Sequence, residues 1–140
     1  ESTRFQKIIV DGKNKNIKKV VFCSGKIFYD INDKINNEQA SSTLIIRIEQ
    51  LYPFPIEVIV DIIKNCKNAK FFWCQEEPKN MGAWSFVQPL LIKLLSIAKI
   101  KDQSIEYIGR KDAASTATGL FKKHLEEQSK IIESLLNYKI

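Results

Sequence analysis

The chain has 140 residues, a length that fits one domain, and it carries a net charge of +6 with 44% hydrophobic and 27% charged residues. This composition excludes collagen-like, mucin-like and disordered classes, and no apolar run reaches the about 20 residues of a membrane span. Only three of the 22 basic residues are arginine, and the lysines are scattered, so we expect neither a nucleic-acid nor a membrane partner. The three cysteines include no CxxC pair, which argues against a disulfide framework and against a metal site.

Apolar runs of strand length alternate with segments of helical period along the chain. A possible short strand at 7–10 and an Asn-rich loop at 13–19 precede a β-branched apolar run at 20–23, which predicts a buried strand. Isoleucines at steps of four then predict a helix over 27–35. We expect a loop at 36–42 because its residues are polar. The run Thr43–Ile48 predicts the next strand.

The second half repeats this alternation. A helix is predicted over 56–63, with Pro55 in its first turn, and a strand over 69–74. Polar residues with Pro78 and Gly82 indicate a loop at 75–82. The apolar stripe over 84–98 predicts a helix that starts late or kinks at Pro89. A strand at 105–108, a loop at 109–119 and a helix over 121–135 complete the chain.

Apolar strands that alternate with amphipathic helices predict an α/β fold with an open, mostly parallel or mixed sheet between two helical layers, a three-layer α/β/α architecture. We expect residues 1–140 to form a single domain, with an N-terminal extension at 1–17 and an α/β core at 18–137. The chain begins with Glu-Ser-Thr-Arg rather than Met, and we expect a processed chain or part of a larger subunit.

Polar residues cluster where the predicted strands end, which is where open α/β sheets bind ligands. Ser24, Gly25 and Lys26 precede a helix, and they form either an anion site or a tight turn with Ser24 as the helix N-cap. Arg47 interrupts an apolar strand and needs a partner. Glu49 on its own face, or Glu76 or Glu77 on a neighbouring strand, could form an ion pair with it. Alternatively, Arg47 binds a phosphate or contacts another domain.

No catalytic set emerges from these residues. Glu76 and Glu77 are adjacent, so on an extended chain they point in opposite directions and make a poor acid–base dyad. His124 is the only histidine, and we expect it to have a structural role on the last helix. We predict that the chain has no catalytic and no metal-binding residues of its own.

Four strings carry a family resemblance: CSGKIFYD from Cys23, IIRIEQLYPFP from Ile45, WCQEEPKNMGAW from Trp73 and YIGRKDAASTATG from Tyr107. In this order and spacing they resemble the C-terminal domain of the thiamine-dependent, decarboxylating first subunit of 2-oxoglutarate dehydrogenase, a transketolase-like family. The resemblance covers residues from about 5 to 137. It implies a full subunit that decarboxylates 2-oxoglutarate on thiamine diphosphate and magnesium, both bound by domains absent here. Its product, a succinyl group, passes to a lipoyl arm in the tricarboxylic acid cycle.

The resemblance further implies a structural or regulatory domain that is inactive alone. The expected partners are the preceding domains, a second subunit in a homodimer and the succinyltransferase of the complex, in the bacterial cytoplasm or alternatively the mitochondrial matrix. Some family members bind acyl-CoA or a nucleotide at a site matched here by Ser24, Lys26, Arg47, Arg110 and, less securely, Gln75. An independent nucleotide- or acyl-CoA-binding module is the alternative function. After Arg110 the sequence departs from the family pattern at Lys111, Asp112-Ala113 and Thr116.

Overall fold

A computed structural model describes residues 4–12, 16–115, 119 and 121–139. Five strands form one mixed sheet. Their bounds are β1 Ile8–Asp11, β2 Lys19–Cys23, β3 Thr43–Ile48, β4 Lys70–Pro78 and β5 Ile105–Arg110. The helices are α1 Ile27–Lys34, α2 Asn37–Ser42, α3 Ile56–Ile63, α4 Trp84–Ile97 and α5 Phe121–Leu136.

The strand order across the sheet is β1-β3-β2-β4-β5. The pairs β3–β2, β2–β4 and β4–β5 are parallel, and only β1 runs antiparallel, on β3. The predicted α/β class with a mostly parallel, mixed sheet is therefore confirmed. Ile8–Asp11 are hydrogen-bonded into this sheet, and the division into an extension at 1–17 and a core at 18–137 stays a prediction.

The two faces of the sheet bury separate apolar clusters. One face carries Val20, Phe22, Ile46, Phe71 and Trp73 beneath α3 and α4. The opposite face packs against α1 and α5, and its buried residues include Val21, Cys23, Ile45, Phe72 and Cys74. Since successive side chains of a strand point to opposite faces, strands buried on both sides are continuously apolar. That is why the sequence pattern located them.

Two predicted loops are wrong. Residues 37–42 form the short helix α2, because Asn36 and Gln39 make a capping box: Gln39 N donates to Asn36 Oδ1 at 2.9 Å and Asn36 N donates to Gln39 Oε1 at 3.3 Å. Strand β4 continues through Gln75 to Pro78 instead of ending at 74. Its extension pairs across an irregularity with β5, which itself continues to Arg110.

Helix α4 begins at Trp84 and does not start late, although Pro89 lies inside it. Pro89 is on the exposed side. Proline has no amide hydrogen and cannot donate the usual helix hydrogen bond, but at this exposed position the loss does not affect the core. The other predicted helices agree with α1, α3 and α5 to within a few residues. Parts of the predicted loops, 13–15 and 116–118, lie outside the described residues.

Candidate functional site

The carboxyl ends of β2, β4 and β5 surround a cavity of about 280 Å³, which we call the strand-end cavity. Three of the five predicted site residues, Ser24, Lys26 and Arg110, line it. The structure thus brings these three together, as expected for the carboxyl edge of parallel strands. The remaining lining residues are Gly25, Glu76, Glu77 and His124.

The turn that follows β2 forms one wall of the strand-end cavity. Helix α1 starts after it, and its N-cap is Lys26, without a side-chain capping bond. Ser24 is therefore not the N-cap, and that interpretation of the turn is wrong. The ammonium of Lys26 pairs with Asp30 one helical turn later, where the acid lies near the start of the helix as the helix dipole favours.

The cations of the strand-end cavity already have acidic partners. Arg110 Nε lies 2.6 Å from Glu127 Oε2 on α5, and Lys26 pairs with Asp30. Glu76 is half-buried at the same place, and its burial raises the pKa of its carboxyl, an effect that nearby Lys26 opposes. The two cations are therefore outnumbered by Asp30, Glu127 and Glu76, so the net electrostatic attraction of this cavity for a polyphosphate is small.

Arg47 lies apart from the strand-end cavity, on the face of the sheet that α1 covers. Its Nε is 2.7 Å from Glu49 Oε1 but makes no hydrogen bond to any described residue. The contact is therefore an ion pair and not an aligned hydrogen bond. The guanidinium stacks on two rings, 4.8 Å from the Phe28 centroid and 5.1 Å from the Tyr29 centroid. Among the partners that the sequence offered, Glu49 is the one that pairs with Arg47.

Gln75 is the most completely hydrogen-bonded of the predicted site residues. Its Oε1 accepts from Trp73 Nε1 at 2.8 Å and from the backbone N of Trp84 at 3.2 Å. Its Nε2 donates to the carbonyls of Met81 at 2.9 Å and Pro78 at 3.1 Å. Only 3% of the residue is exposed, so its polar atoms tie the end of β4 to the start of α4.

A second cavity, of about 440 Å³, is lined in part by residues of this network. It is lined by Ser24, Gly25, Leu51, Trp73, Gln75, Glu77, Gly82, Ala83 and Phe86. Ser24, Gly25 and Glu77 line both cavities, so Ser24 is the one predicted site residue that the two share, whereas Gln75 lines only the second. The five predicted site residues therefore divide among three surroundings, and their assignment to one ligand stays a prediction.

Sequence reasoning missed Tyr107 and Glu127. The Tyr107 hydroxyl donates to the carbonyls of Arg110 at 3.0 Å or Glu77 at 3.2 Å, and burial raises the pKa of this phenol to about 12. A side chain at Gly109 would collide with that hydroxyl, so glycine there permits the fold of the strand end. The glycine two residues after Tyr107 was a signal in the sequence that a side chain packs closely against the backbone here. Nothing in the sequence marked Glu127 as the partner of Arg110.

Metal and nucleophile chemistry has little support in the described part of the chain. No group of three or more His, Cys, Asp or Glu residues there could hold a metal ion. All three cysteines are free and buried, and burial raises the pKa of Cys23 to about 12, which disfavours a reactive thiolate. His124 is exposed at the rim of the strand-end cavity. Among the described residues, no helix is long and apolar enough to span a membrane.

Comparison with known proteins gives a consistent result. The family described as "2-oxoglutarate dehydrogenase C-terminal" matches residues 1–136. Proteins named 2-oxoglutarate dehydrogenase E1 component from Brucella anthropi and Brucella ovis are 43% identical over 124 residues, which are 89% of this chain. The chain spans only about 12% of the length of these relatives. This chain belongs to the 2-oxoglutarate dehydrogenase C-terminal family.

Proposed function

We propose that this chain is the C-terminal domain of the decarboxylating E1 component of 2-oxoglutarate dehydrogenase. One observation carries the proposal: 43% identity extends over 89% of this chain but over only 12% of relatives that bear that name. A match of this shape is what one domain of a longer subunit produces. On this proposal the domain has a structural and regulatory role, and the chemistry belongs to the rest of the subunit.

The proposed reaction of the whole subunit is the oxidative decarboxylation of 2-oxoglutarate, with transfer of a succinyl group to the lipoyl arm of the succinyltransferase, in the tricarboxylic acid cycle. Thiamine diphosphate would supply the electron sink for the decarboxylation, with magnesium holding its diphosphate. The described residues do not fit that group, because they contain no metal-ligand cluster and the cations of the strand-end cavity are paired with acids. We therefore assign the cofactor to the preceding domains and derive no step from this chain.

The proposed partners follow from the same assignment. They are the preceding domains of the subunit, a second subunit in a homodimer, and the succinyltransferase of the complex. The relatives named above are bacterial, which favours a bacterial cytoplasm over a mitochondrial matrix as the place of action.

An electron-acceptor assay tests the proposal. The isolated chain and the complete subunit are each incubated with 2-oxoglutarate, thiamine diphosphate and magnesium, and the reduction of ferricyanide is followed. We expect turnover by the complete subunit and none by the isolated chain, with circular dichroism showing that the chain is folded. Reduction by the chain alone at a rate like that of the subunit would refute the proposal.

A second candidate function is an effector site for an acyl-CoA or a nucleotide, acting as a nucleotide- or acyl-CoA-binding module. The meeting of Ser24, Lys26 and Arg110 around the strand-end cavity favours it. The internal ion pairs of Lys26 and Arg110 weigh against it, because a phosphate would have to compete with Asp30 and Glu127.

Calorimetric titration with acetyl-CoA, CoA and AMP at two salt concentrations decides the matter. Saturable binding that is weakened by salt and lost in Lys26→Ala would support an effector site at the strand-end cavity. Arg47→Ala is the informative comparison, because Arg47 lies outside that cavity and its loss should leave such binding unchanged. Binding that is insensitive to Lys26→Ala, or no binding at all, would remove this candidate.

A further inference from the structure

Two buried cysteines lie side by side in the centre of the sheet. Cys23 on β2 and Cys74 on β4 are directly aligned in adjacent parallel strands. Both belong to the cluster beneath α1 and α5, so their side chains project from the same face. Neither residue has any exposed surface. The third cysteine, Cys66, belongs to the cluster on the opposite face.

The spacing of such a pair suits a bridging atom better than a direct bond. Neighbouring strands are about 4.8 Å apart, and the Cβ atoms of aligned residues on parallel strands project side by side at a similar separation. A disulfide needs Cβ atoms about 3.5–4.5 Å apart. The two sulfurs therefore reach one inserted atom more easily than they reach each other.

The surroundings of the pair select the kind of atom. A soft cation such as Cu(I) binds thiolates and would leave a negative bis-thiolate in an apolar cluster. Arg47 on β3, the other neighbour of β2, is aligned with Cys23, but it is already paired with Glu49. Burial also raises the pKa of both thiols, so the site favours a reaction that consumes thiols and leaves no charge.

We propose that Cys23 and Cys74 form a dithiol site that captures one trivalent arsenic atom through both sulfurs. In the reaction with arsenous acid two S–H bonds and two As–OH bonds break, two S–As bonds form, and the hydrogens leave in two water molecules. Arsenic stays trivalent, so no oxidant or reductant is needed. The product keeps the third As–OH group and carries no charge, as the apolar cluster requires.

The site lies next to the strand-end cavity, which gives arsenous acid a route to it. Ser24 follows Cys23 directly, and Glu76 lies two residues beyond Cys74; both line that cavity. The thiols themselves are fully covered, so capture requires local opening of this end of the sheet. We therefore expect slow but stoichiometric binding.

The test uses the 140-residue chain and sodium arsenite. After incubation and gel filtration, we expect one arsenic atom per chain by elemental analysis, and release by 2,3-dimercaptopropanol but not by 2-mercaptoethanol. Cys23→Ala and Cys74→Ala should each retain at least ten-fold less arsenic, whereas the matched control Cys66→Ala should retain as much as the wild type. Arsenic retained equally by the Cys74 variant, or lost in the Cys66 variant, would overturn the proposal.

A measurement on the wild type alone covers the case in which a variant fails to fold. The chain is exposed to N-ethylmaleimide without denaturant, with and without arsenite, and the rate at which each cysteine is labelled is mapped by digestion and mass spectrometry. Slower labelling of Cys23 and Cys74 together in the presence of arsenite, with an unchanged rate at Cys66, is the expected result. Labelling rates that arsenite does not change, or a Cys23–Cys74 disulfide formed without arsenic, would refute the proposed site.

Discussion

Replacing Gln75 with methionine should remove the connection between β4 and α4. Methionine has a similar length but no hydrogen-bonding groups that match. The change leaves two buried donors without a hydrogen-bond partner, the indole N–H of Trp73 and the backbone N–H of Trp84, whereas the carbonyl of Pro78 still accepts from the backbone N–H of Met81. A buried group that loses its partner costs about 1–3 kcal/mol, so we expect Gln75→Met to lower the free energy of unfolding by at least about 2 kcal/mol.

Urea unfolding followed by far-ultraviolet circular dichroism measures this loss, because the signal does not depend on the two tryptophans beside the substitution. Gln128→Met is the matched control: Gln128 makes one partly buried hydrogen bond, from Nε2 to Asp30 Oδ2 at 2.8 Å. Its loss should cost about 1.5 kcal/mol, the lower end of the range for a bond to a carboxylate, because Asp30 keeps Lys26 as a partner. If Gln75→Met cost no more than Gln128→Met, the reasoning that Gln75 is structural would be refuted.

Three further stability predictions concern individual charges. Lys19 Nζ donates to the carbonyls of Leu135 at 3.1 Å and Leu136 at 2.9 Å at the end of α5. Lys19→Met should therefore lower the free energy of unfolding in urea by about 1–2 kcal/mol. The control Lys18→Met, at the exposed neighbouring residue, should leave it almost unchanged. Burial raises the pKa of Glu76 in the folded chain. The contribution of this carboxyl to stability is therefore most favourable at a pH below its pKa in the unfolded chain, and it falls as the pH rises through its pKa in the folded chain. Glu76→Gln should therefore stabilise the chain more at pH 7 than at pH 4, whereas an equal effect at both would contradict this; Glu77→Gln removes the same charge as a control. Hydrogen bonds from Lys70 and Ser104 hold the pKa of the Asp102 carboxyl well below its usual range, so its contribution is present at pH 7 and lost as pH falls below about 4. Acid titration of Asp102→Asn should show a smaller loss of stability over that range than the wild type, and identical acid titrations would contradict the assignment.

The sequence pattern was sufficient for the elements that bury apolar residues. The strands at 20–23 and 43–48 and the stripes of α1, α3 and α5 were found because continuous and periodic burial leaves a direct trace in residue order. The pattern failed where polar residues form regular structure. Gln75–Pro78 look like a loop but extend β4, and the side chain of Gln75 is satisfied there because it accepts from Trp73 Nε1 and donates to the carbonyl of Met81 and the hydroxyl of Tyr107. The contact with Tyr107 joins two strands, so it exists only in the folded chain.

The candidate site was predictable only in part for a related reason. The rule that ligands collect at the carboxyl ends of strands correctly brought Ser24, Lys26 and Arg110 to one cavity. It could not exclude Arg47, because which face of a strand a residue occupies depends on register. It also could not anticipate the pairing of Arg110 with Glu127, which lies on a helix distant in sequence. Which acid pairs with which base depends on the fold, so the composition does not predict it.

A domain exchange tests the central claim most directly. In the E1 component of Brucella anthropi, the segment 43% identical to this chain is replaced by this chain, and 2-oxoglutarate-dependent ferricyanide reduction is compared with the parent and with a form that lacks the segment. We predict a chimera with the substrate specificity of the parent and a kcat within about ten-fold of it, and an inactive deletion form. A soluble, folded chimera without activity, or one whose substrate preference has changed, would contradict a supporting, non-catalytic role for this domain.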